Sequence, residues 1–339
     1  MTDLQDFMQG CSRAASESMA NNQAILSIED LSVSFETAMG RVMAADGVCL
    51  KLHERETVAL VGETGCGKSV VVSSIVQLLP GNAYVRGRAI YEGRDLLSLG
   101  EKEMAGIRGS EIAMIFQNPS LALNPIIKAA EQIAEPVIIH WRLPKSQALD
   151  KAGEMLRRLG LGNRAIPGMF PFQLSGGMNQ RVMIAAAMIL SPKIIIADEP
   201  SKGLDANSAD EVMGEIARLR DSAGASLLLI THDLGLARKI SDRMAVMYCG
   251  QIIETGRCED IFNQPLHPYT KALLNCLPQR GFQPIPGSSP SMIEPPEGCR
   301  FYPRCPERQD ECCMKAGLQM VRILGPEGEV LREVRCRLY

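Results

Sequence analysis

Short apolar runs punctuate the chain. Ile25–Ile28, Leu31–Phe35 and Gly47–Leu50 are brief and broken by polar or turn residues, the pattern of strands. Thr57–Val61 is apolar after its first residue and runs into a glycine-rich turn, followed by a helical stretch, Ser69–Leu79. Between Pro144 and Leu161 the positions Leu149, Ala152, Met155, Leu156 and Leu159 recur near the 3.6-residue period, and Gln180–Leu190 reads as a further helix. Ile194–Ala197 and Ser226–Ile230 have the length and composition of strands buried on both faces. Strands alternating with helices predict an α/β core around a parallel sheet. Past Asn263 the pattern changes. Pro278–Pro296 carries six prolines and reads as a linker, and the residues beyond it are rich in cysteine.

Composition narrows the class. A chain of 339 residues suggests about two domains, and 46% apolar with 22% charged residues is ordinary for a protein with a large core. The net charge, 36 − 39 = −3, and an aromatic content of 4% argue against a nucleic-acid partner. Six of the eleven cysteines fall in residues 1–298 and five in 299–339. A disulfide-stapled secreted domain would be short and cysteine-dense throughout, so the body reads as cytosolic. No apolar run approaches the roughly 18–20 residues of a membrane span. Residues 1–24 lack the basic start and apolar block of a signal peptide and read as a polar leader. Work at a membrane would then require docking onto other subunits.

The turn after Thr57–Val61 is Gly62-Glu63-Thr64-Gly65-Cys66-Gly67-Lys68-Ser69, which fits G-x-x-x-x-G-K-[ST]. Glycines let the backbone N–H groups wrap a phosphate, and the helix that follows turns its positive end toward it. Lys68 is expected to reach the β- and γ-phosphates and Ser69 to ligate Mg²⁺. Ile194–Ala197 ends in Asp198-Glu199-Pro200, two adjacent carboxylates closing an apolar strand. Such a pair repels in a dry site unless a cation or a reacting water gives it a purpose. Asp198 is expected to hold Mg²⁺ and Glu199 to act as general base on the hydrolytic water. Leu174-Ser175-Gly176-Gly177-Met178 opens a helix and offers a second anion-binding turn.

Together these segments resemble the ATPase subunits of ABC transporters. Residues 62–69 match the Walker A motif, Ala197–Pro200 Walker B, and Leu174–Met178 the signature motif, with Ser201–Asp205 matching the D-loop. Gln117 in Ile115-Phe116-Gln117-Asn118-Pro119 matches the Q-loop glutamine, and His232 in Ile230-Thr231-His232-Asp233 the switch histidine. Phe35 lies where the family places an adenine-stacking aromatic. Met178 and Gly203 depart from the commoner signature glutamine and D-loop alanine, and neither removes a reactive group.

The resemblance implies a P-loop NTPase of ABC type over 25–262, with a helical subdomain at about 118–180 and a C-terminal extension over 263–339. Lys68, Glu199 and His232 would serve hydrolysis. Residues 62–69, with Phe35, Gln117 and Asp198, would bind MgATP. Ser175, Gly176 and Gly177 would complete the phosphate site of a second ATPase subunit, in a heterodimer. Two permease subunits and an extracytoplasmic solute-binding protein would complete an importer, with this chain peripheral on the cytoplasmic face of the inner membrane.

In the tail, Cys299, Cys305, Cys312 and Cys336 are separated by five, six and 23 residues, with Cys313 as an adjacent alternative to Cys312. Spacing alone leaves an iron–sulfur cluster, zinc and free thiols open, since no pair has the C-x₂₋₄-C spacing usual for zinc. His267-Pro268-Tyr269-Thr270-Lys271-Ala272-Leu273-Leu274, followed by Pro295-Pro296 and Gly298-Cys299 through Arg304-Cys305-Pro306, resembles the C-terminal extension of dipeptide, oligopeptide and nickel uptake ATPases. That likeness implies a 4Fe–4S cluster on Cys299, Cys305, Cys312 and Cys336, with Zn²⁺ as the alternative, and peptide import as the work. Nickel or another small solute, or a soluble ABC ATPase without a transporter, are the competing readings.

Overall fold

A computed structural model describes residues 24–309, 313–326 and 328–339. The leader expected over 1–24 therefore lies, but for Ala24, outside the described residues, and so does Cys312.

The N-terminal runs, expected as separate short strands, form one long hairpin of β1 (Ala24–Thr37) and β2 (Gly40–His53). The polar break between Ile28 and Leu31 is a bulge and not a strand end, whereas the break after Phe35 holds the hairpin turn. Pairing shifts register between Ile28 and Leu31, where Asp30 takes a left-handed φ of 49°. With β4 (Ala83–Tyr91) and β5 (Arg94–Asp95) the hairpin makes an antiparallel sheet in the order β2-β1-β4-β5.

Among the described residues the second sheet has eight strands, in the order β11 (Val321–Leu324), β12 (Val330–Val334), β10 (Gln251–Arg257), β9 (Arg243–Tyr248), β3 (Thr57–Val61), β8 (Ser226–Thr231), β7 (Ile194–Asp198) and β6 (Ile112–Ile115). Its parallel part contains β3, β6, β7, β8 and β9. Every residue of β3, β7 and β8 is buried, which accounts for their apolar composition, broken only at their ends. Alternate side chains serve opposite faces. Ile194, Ile196, Leu228 and Ile230 pack with the β1–β2 hairpin and the helix Lys68–Ile75. Ile195, Ala197, Leu227 and Leu229 pack with the helices Ala129–Trp141, Lys145–Arg158 and Gly176–Met188. Lys145–Arg158 turns Ala148, Ala152, Met155 and Leu156 inward at the expected helical spacing.

Beyond Asn263 the chain returns to the same sheet. After β10 and the helix Pro268–Asn275, β12 pairs antiparallel with β10, and β11 pairs with β12. The fully buried Glu254 of β10 is bound by Arg332 of β12 and accepts the backbone N–H groups of Leu266 and His267, each at 2.9 Å. Tyr248, Tyr269 and Phe301 stack into one aromatic cluster, with ring centroids 4.5–5.4 Å apart. Within the proline-rich stretch only the short turn Pro278–Arg280 is regular, yet the stretch is fastened, since Met43 N–H donates to the Met292 carbonyl at 2.8 Å.

Candidate functional site

The parallel register brings four of the sequence motifs to one edge. Val61 is level with Thr231, Ile230 with Asp198, and Ala197 with Ile115. The loops that follow β3, β8, β7 and β6 therefore leave the sheet side by side. They carry residues 62–69, His232, the Asp198–Glu199 pair and Gln117. The carboxyl ends of parallel strands are where α/β sheets place their ligands.

Two glycines of the loop, Gly62 and Gly67, leave no room for a side chain. A Cβ on Gly62 would lie 2.1 Å from the Met247 carbonyl oxygen, and one on Gly67, at φ 105°, 2.0 Å from that of Ala44. Lys68 is buried inside the loop, its Nζ donating to the carbonyls of Gly62 (2.9 Å) and Glu63 (3.0 Å) and lying 3.7 Å from Cys66 Sγ. Ser69, one residue into the helix, is exposed; Thr64 and Gly65 are exposed too. Burial pushes the Cys66 thiol up against the opposing pull of Lys68, which leaves it a poor nucleophile.

Glu199 is the hub of the polar cluster. It sits at a left-handed φ of 45°, a strained conformation for a non-glycine residue. Gln117 Nε2 donates to its Oε2 at 2.6 Å, Lys202 Nζ stands 3.4 Å from the same oxygen, and His232 Nδ1 stands 3.4 Å from Oε1. Burial raises this carboxyl, but Gln117, His232 and Lys202 together outweigh it and hold its pKa below the usual carboxylate value. Asp198 goes the other way. Burial and the neighbouring Glu199 push it up, while a hydrogen bond from Ser69 and the charges of Lys68 and Lys202 only moderate the rise. Its Oδ1 is buried without a hydrogen-bond partner. An unpartnered buried carboxylate oxygen beside a serine hydroxyl is a donor set suited to a small divalent cation.

Ser175 caps the helix Gly176–Met188, its Oγ accepting from Met178 N–H at 3.3 Å. It is exposed, and a Cβ on Gly176 or Gly177 would meet nothing within 4 Å. Among the described residues no hydrogen bond or ion pair joins this turn to residues 62–69 or to the Asp198–Glu199 pair. Phe35, on β1 opposite Val42 and beside Ala83, is half-buried against the core of the hairpin.

The tail departs from its expectation. Among the described residues no three His, Cys, Asp or Glu side chains are arranged to hold a metal ion, and Cys312 lies outside those residues. Cys299, Cys305 and Cys336 do gather, with Cys313 as the fourth member: the other three raise the Cys299 thiol, Cys336 and Cys313 raise that of Cys305, and Cys313 raises that of Cys336. Burial is the larger cause, lifting Cys299 to about 11. Cys299 and Cys305 lie against the aromatic cluster, and Cys299 N–H donates to the Cys313 carbonyl at 2.8 Å. Four thiols are a soft donor set that suits iron or zinc, which they bind as thiolates with release of their protons.

Sequence reasoning missed a second set of contacts at the glycine-rich loop. The Glu63 carboxylate accepts from Arg304 Nη1 (3.0 Å) and Ser289 Oγ (2.7 Å), and Glu63 N–H donates to Tyr269 Oη (3.0 Å). No local signal points to these pairs, whose members are 206 to 241 positions apart.

Known proteins share this arrangement. Residues 45–202 match the family model described as ABC transporter, and residues 253–312 match the oligopeptide/dipeptide transporter C-terminal region. The dipeptide transport ATP-binding protein DppD of Bacillus subtilis (strain 168) is 42% identical over 301 residues, covering 86% of this chain and 89% of that protein. The oligopeptide transport ATP-binding protein AppD of the same organism is 40% identical over 323 residues, covering 93% of this chain and 97% of that protein. Among solved structures, the dimeric post-hydrolysis state of the ATP-binding cassette MJ0796 bound to ADP and Pi aligns with a TM-score of 0.62 at 27% identity, covering 69% of this chain and 98% of that one.

Proposed function

The chain belongs to the ABC transporter family, and we propose that it hydrolyses ATP to drive import of dipeptides or oligopeptides from the cytoplasmic face of the cell membrane. The observation that carries this reading is the meeting of Gln117, Asp198, Glu199 and His232 beside residues 62–69, at the ends of four adjacent parallel strands.

The loop's N–H groups and Lys68 take the β- and γ-phosphates, Lys68 first releasing the Gly62 and Glu63 carbonyls. Glu199, kept ionised by its three partners, accepts the proton of the attacking water. His232, more than half exposed and aimed at Glu199, is placed to meet the γ-phosphate and the water together. Asp198, Ser69 and Gln117 would hold Mg²⁺, which neutralises charge on the phosphates. Phe35 would stack on the adenine.

The turn at Ser175, Gly176 and Gly177, open above both glycines and exposed at Ser175 and Gly176, suits the phosphates of a partner's nucleotide, so two ATPase subunits, proposed here as a heterodimer, would enclose two ATP molecules. Two permease subunits and an extracytoplasmic solute-binding protein complete the importer. No described helix is long and apolar enough to cross a membrane. Membrane vesicles carrying this chain with its permease partners should accumulate labelled dipeptide only when MgATP is supplied. Equal uptake by vesicles without the chain overturns the reading.

For the tail, we propose a 4Fe–4S cluster on Cys299, Cys305, Cys336 and either Cys312 or Cys313, supported by the gathering of thiols. Chain purified without oxygen should carry iron and sulfide in stoichiometric amount. Bound zinc, or no metal, rejects the cluster.

A further inference from the structure

The residues after Asn263 reach the glycine-rich loop at Glu63 and hold both its side chain and its backbone. Arg304 is itself immobilised, with its side chain 6% exposed. Its Nε donates to the Pro286 carbonyl at 2.9 Å and its Nη2 to that of Ile285 at 3.4 Å. Its guanidinium lies 5.8 Å from the ring centre of Tyr248 and 5.9 Å from that of Phe301. At its other end, the Glu63 carbonyl is one of the two that hold Lys68. The hydrolytic chemistry uses neither the Glu63 carboxylate nor Arg304. Yet a free carboxylate in a loop built to bind phosphate repels its ligand at short range, where charges interact strongly.

We propose that Arg304 is a positioning residue of the nucleotide site: by neutralising and anchoring Glu63, with Ser289 and Tyr269, it sets the affinity for ATP from the C-terminal segment. This rests on the ATP-binding reading above. Loss of a charge-assisted hydrogen bond that also unmasks a carboxylate corresponds to about tenfold in affinity.

The test is a double-mutant cycle on the full chain, titrated with a fluorescent ATP analogue and assayed for KM and kcat. Arg304→Ala should weaken binding about tenfold, with the loss in KM and a smaller change in kcat. Arg304→Lys, which keeps the charge, should recover most of it. On a Glu63→Gln background, where there is no carboxylate to neutralise, Arg304→Ala should cost less than about twofold. Wild-type affinity in Arg304→Ala, or the same penalty on both backgrounds, overturns the proposal. Should Arg304→Ala fail to fold, Arg304→Gln keeps a donor and the packing while removing the charge, and wild-type affinity there has the same force. A wild-type chain that binds no analogue defeats the functional reading itself, which separates the two failures.

Discussion

Two regions meet at the glycine-rich loop and are built on opposite principles. On one side, the ends of β3, β6, β7 and β8 bring Lys68, Gln117, Asp198, Glu199 and His232 together through parallel register alone. Each residue lies within two positions of a buried strand or at the start of the next helix, so the sheet aims it and few long-range contacts are needed. On the other side, the segment after Asn263 reaches the loop through individual polar contacts, Arg304 and Ser289 on Glu63 and Tyr269 on its N–H. It is secured by the buried Glu254–Arg332 pair and the Tyr248–Tyr269–Phe301 cluster. The first region keeps polar groups strained or unpartnered, as in the φ of Glu199 and the orphan Oδ1 of Asp198. In the second the buried carboxylate of Glu254 is paired with Arg332, although Arg332 Nε and Thr270 Oγ1 are left without partners. Groups poised for chemistry and groups that fasten are thus separated, though both touch one loop.

Four perturbations probe that division. Glu199→Gln should lower kcat for ATP by about 10²–10⁴-fold, roughly 3–5 kcal/mol of barrier, while nucleotide still binds and thermal stability holds. A variant that unfolds instead would make Glu199 a structural group. Arg332→Leu should do the converse, leaving Glu254 buried without its cation. Stability in urea should fall by about 3 kcal/mol, read from the midpoint of unfolding.

The third perturbation is acid. Burial holds His267 neutral, with a pKa lowered to about 3, whereas the unfolded chain takes up that proton near pH 6.5. Below pH 6.5 the unfolded state binds more protons, so stability is present above that pH and is lost as pH falls toward 3. Between pH 7 and 5 the loss from this group is about 2 kcal/mol. A His267→Gln variant should show a shallower slope in the same urea titrations, and an unchanged slope would assign the acid sensitivity elsewhere. The smallest effect is expected from Tyr269→Phe, which strips the acceptor from Glu63 N–H and should cost about 1 kcal/mol of stability with a modest rise in KM for ATP.

The same division decides what could be read from the sequence. Residues 62–69 are one continuous motif whose function follows from backbone geometry. Asp198 and Glu199 stand out because carboxylates at the end of an apolar strand need a reason. The helix Lys145–Arg158 and strands β3, β7 and β8 were legible from periodicity and buried length. Beside them, β1 read as two strands, since a bulge at Glu29–Asp30 and a strand end share the same polar residues. β12 went unread because Val330–Val334 is short, carries two charges in five residues, and pairs with residues 76 to 80 positions earlier. Arg304 was legible only as part of a Pro-Arg-Cys-Pro string, and nothing near it names Glu63.

The Glu63 contacts also carry a consequence for the order in which the protein is assembled. The loop and its helix leave the ribosome early, but the side chains that anchor Glu63 lie 206, 226 and 241 residues downstream. Closing so long a loop is among the slower and entropically more expensive events in folding. A nascent chain stalled before residue 269 can form the parallel core yet leaves Glu63 unanchored, so the phosphate loop takes its final shape only late in synthesis.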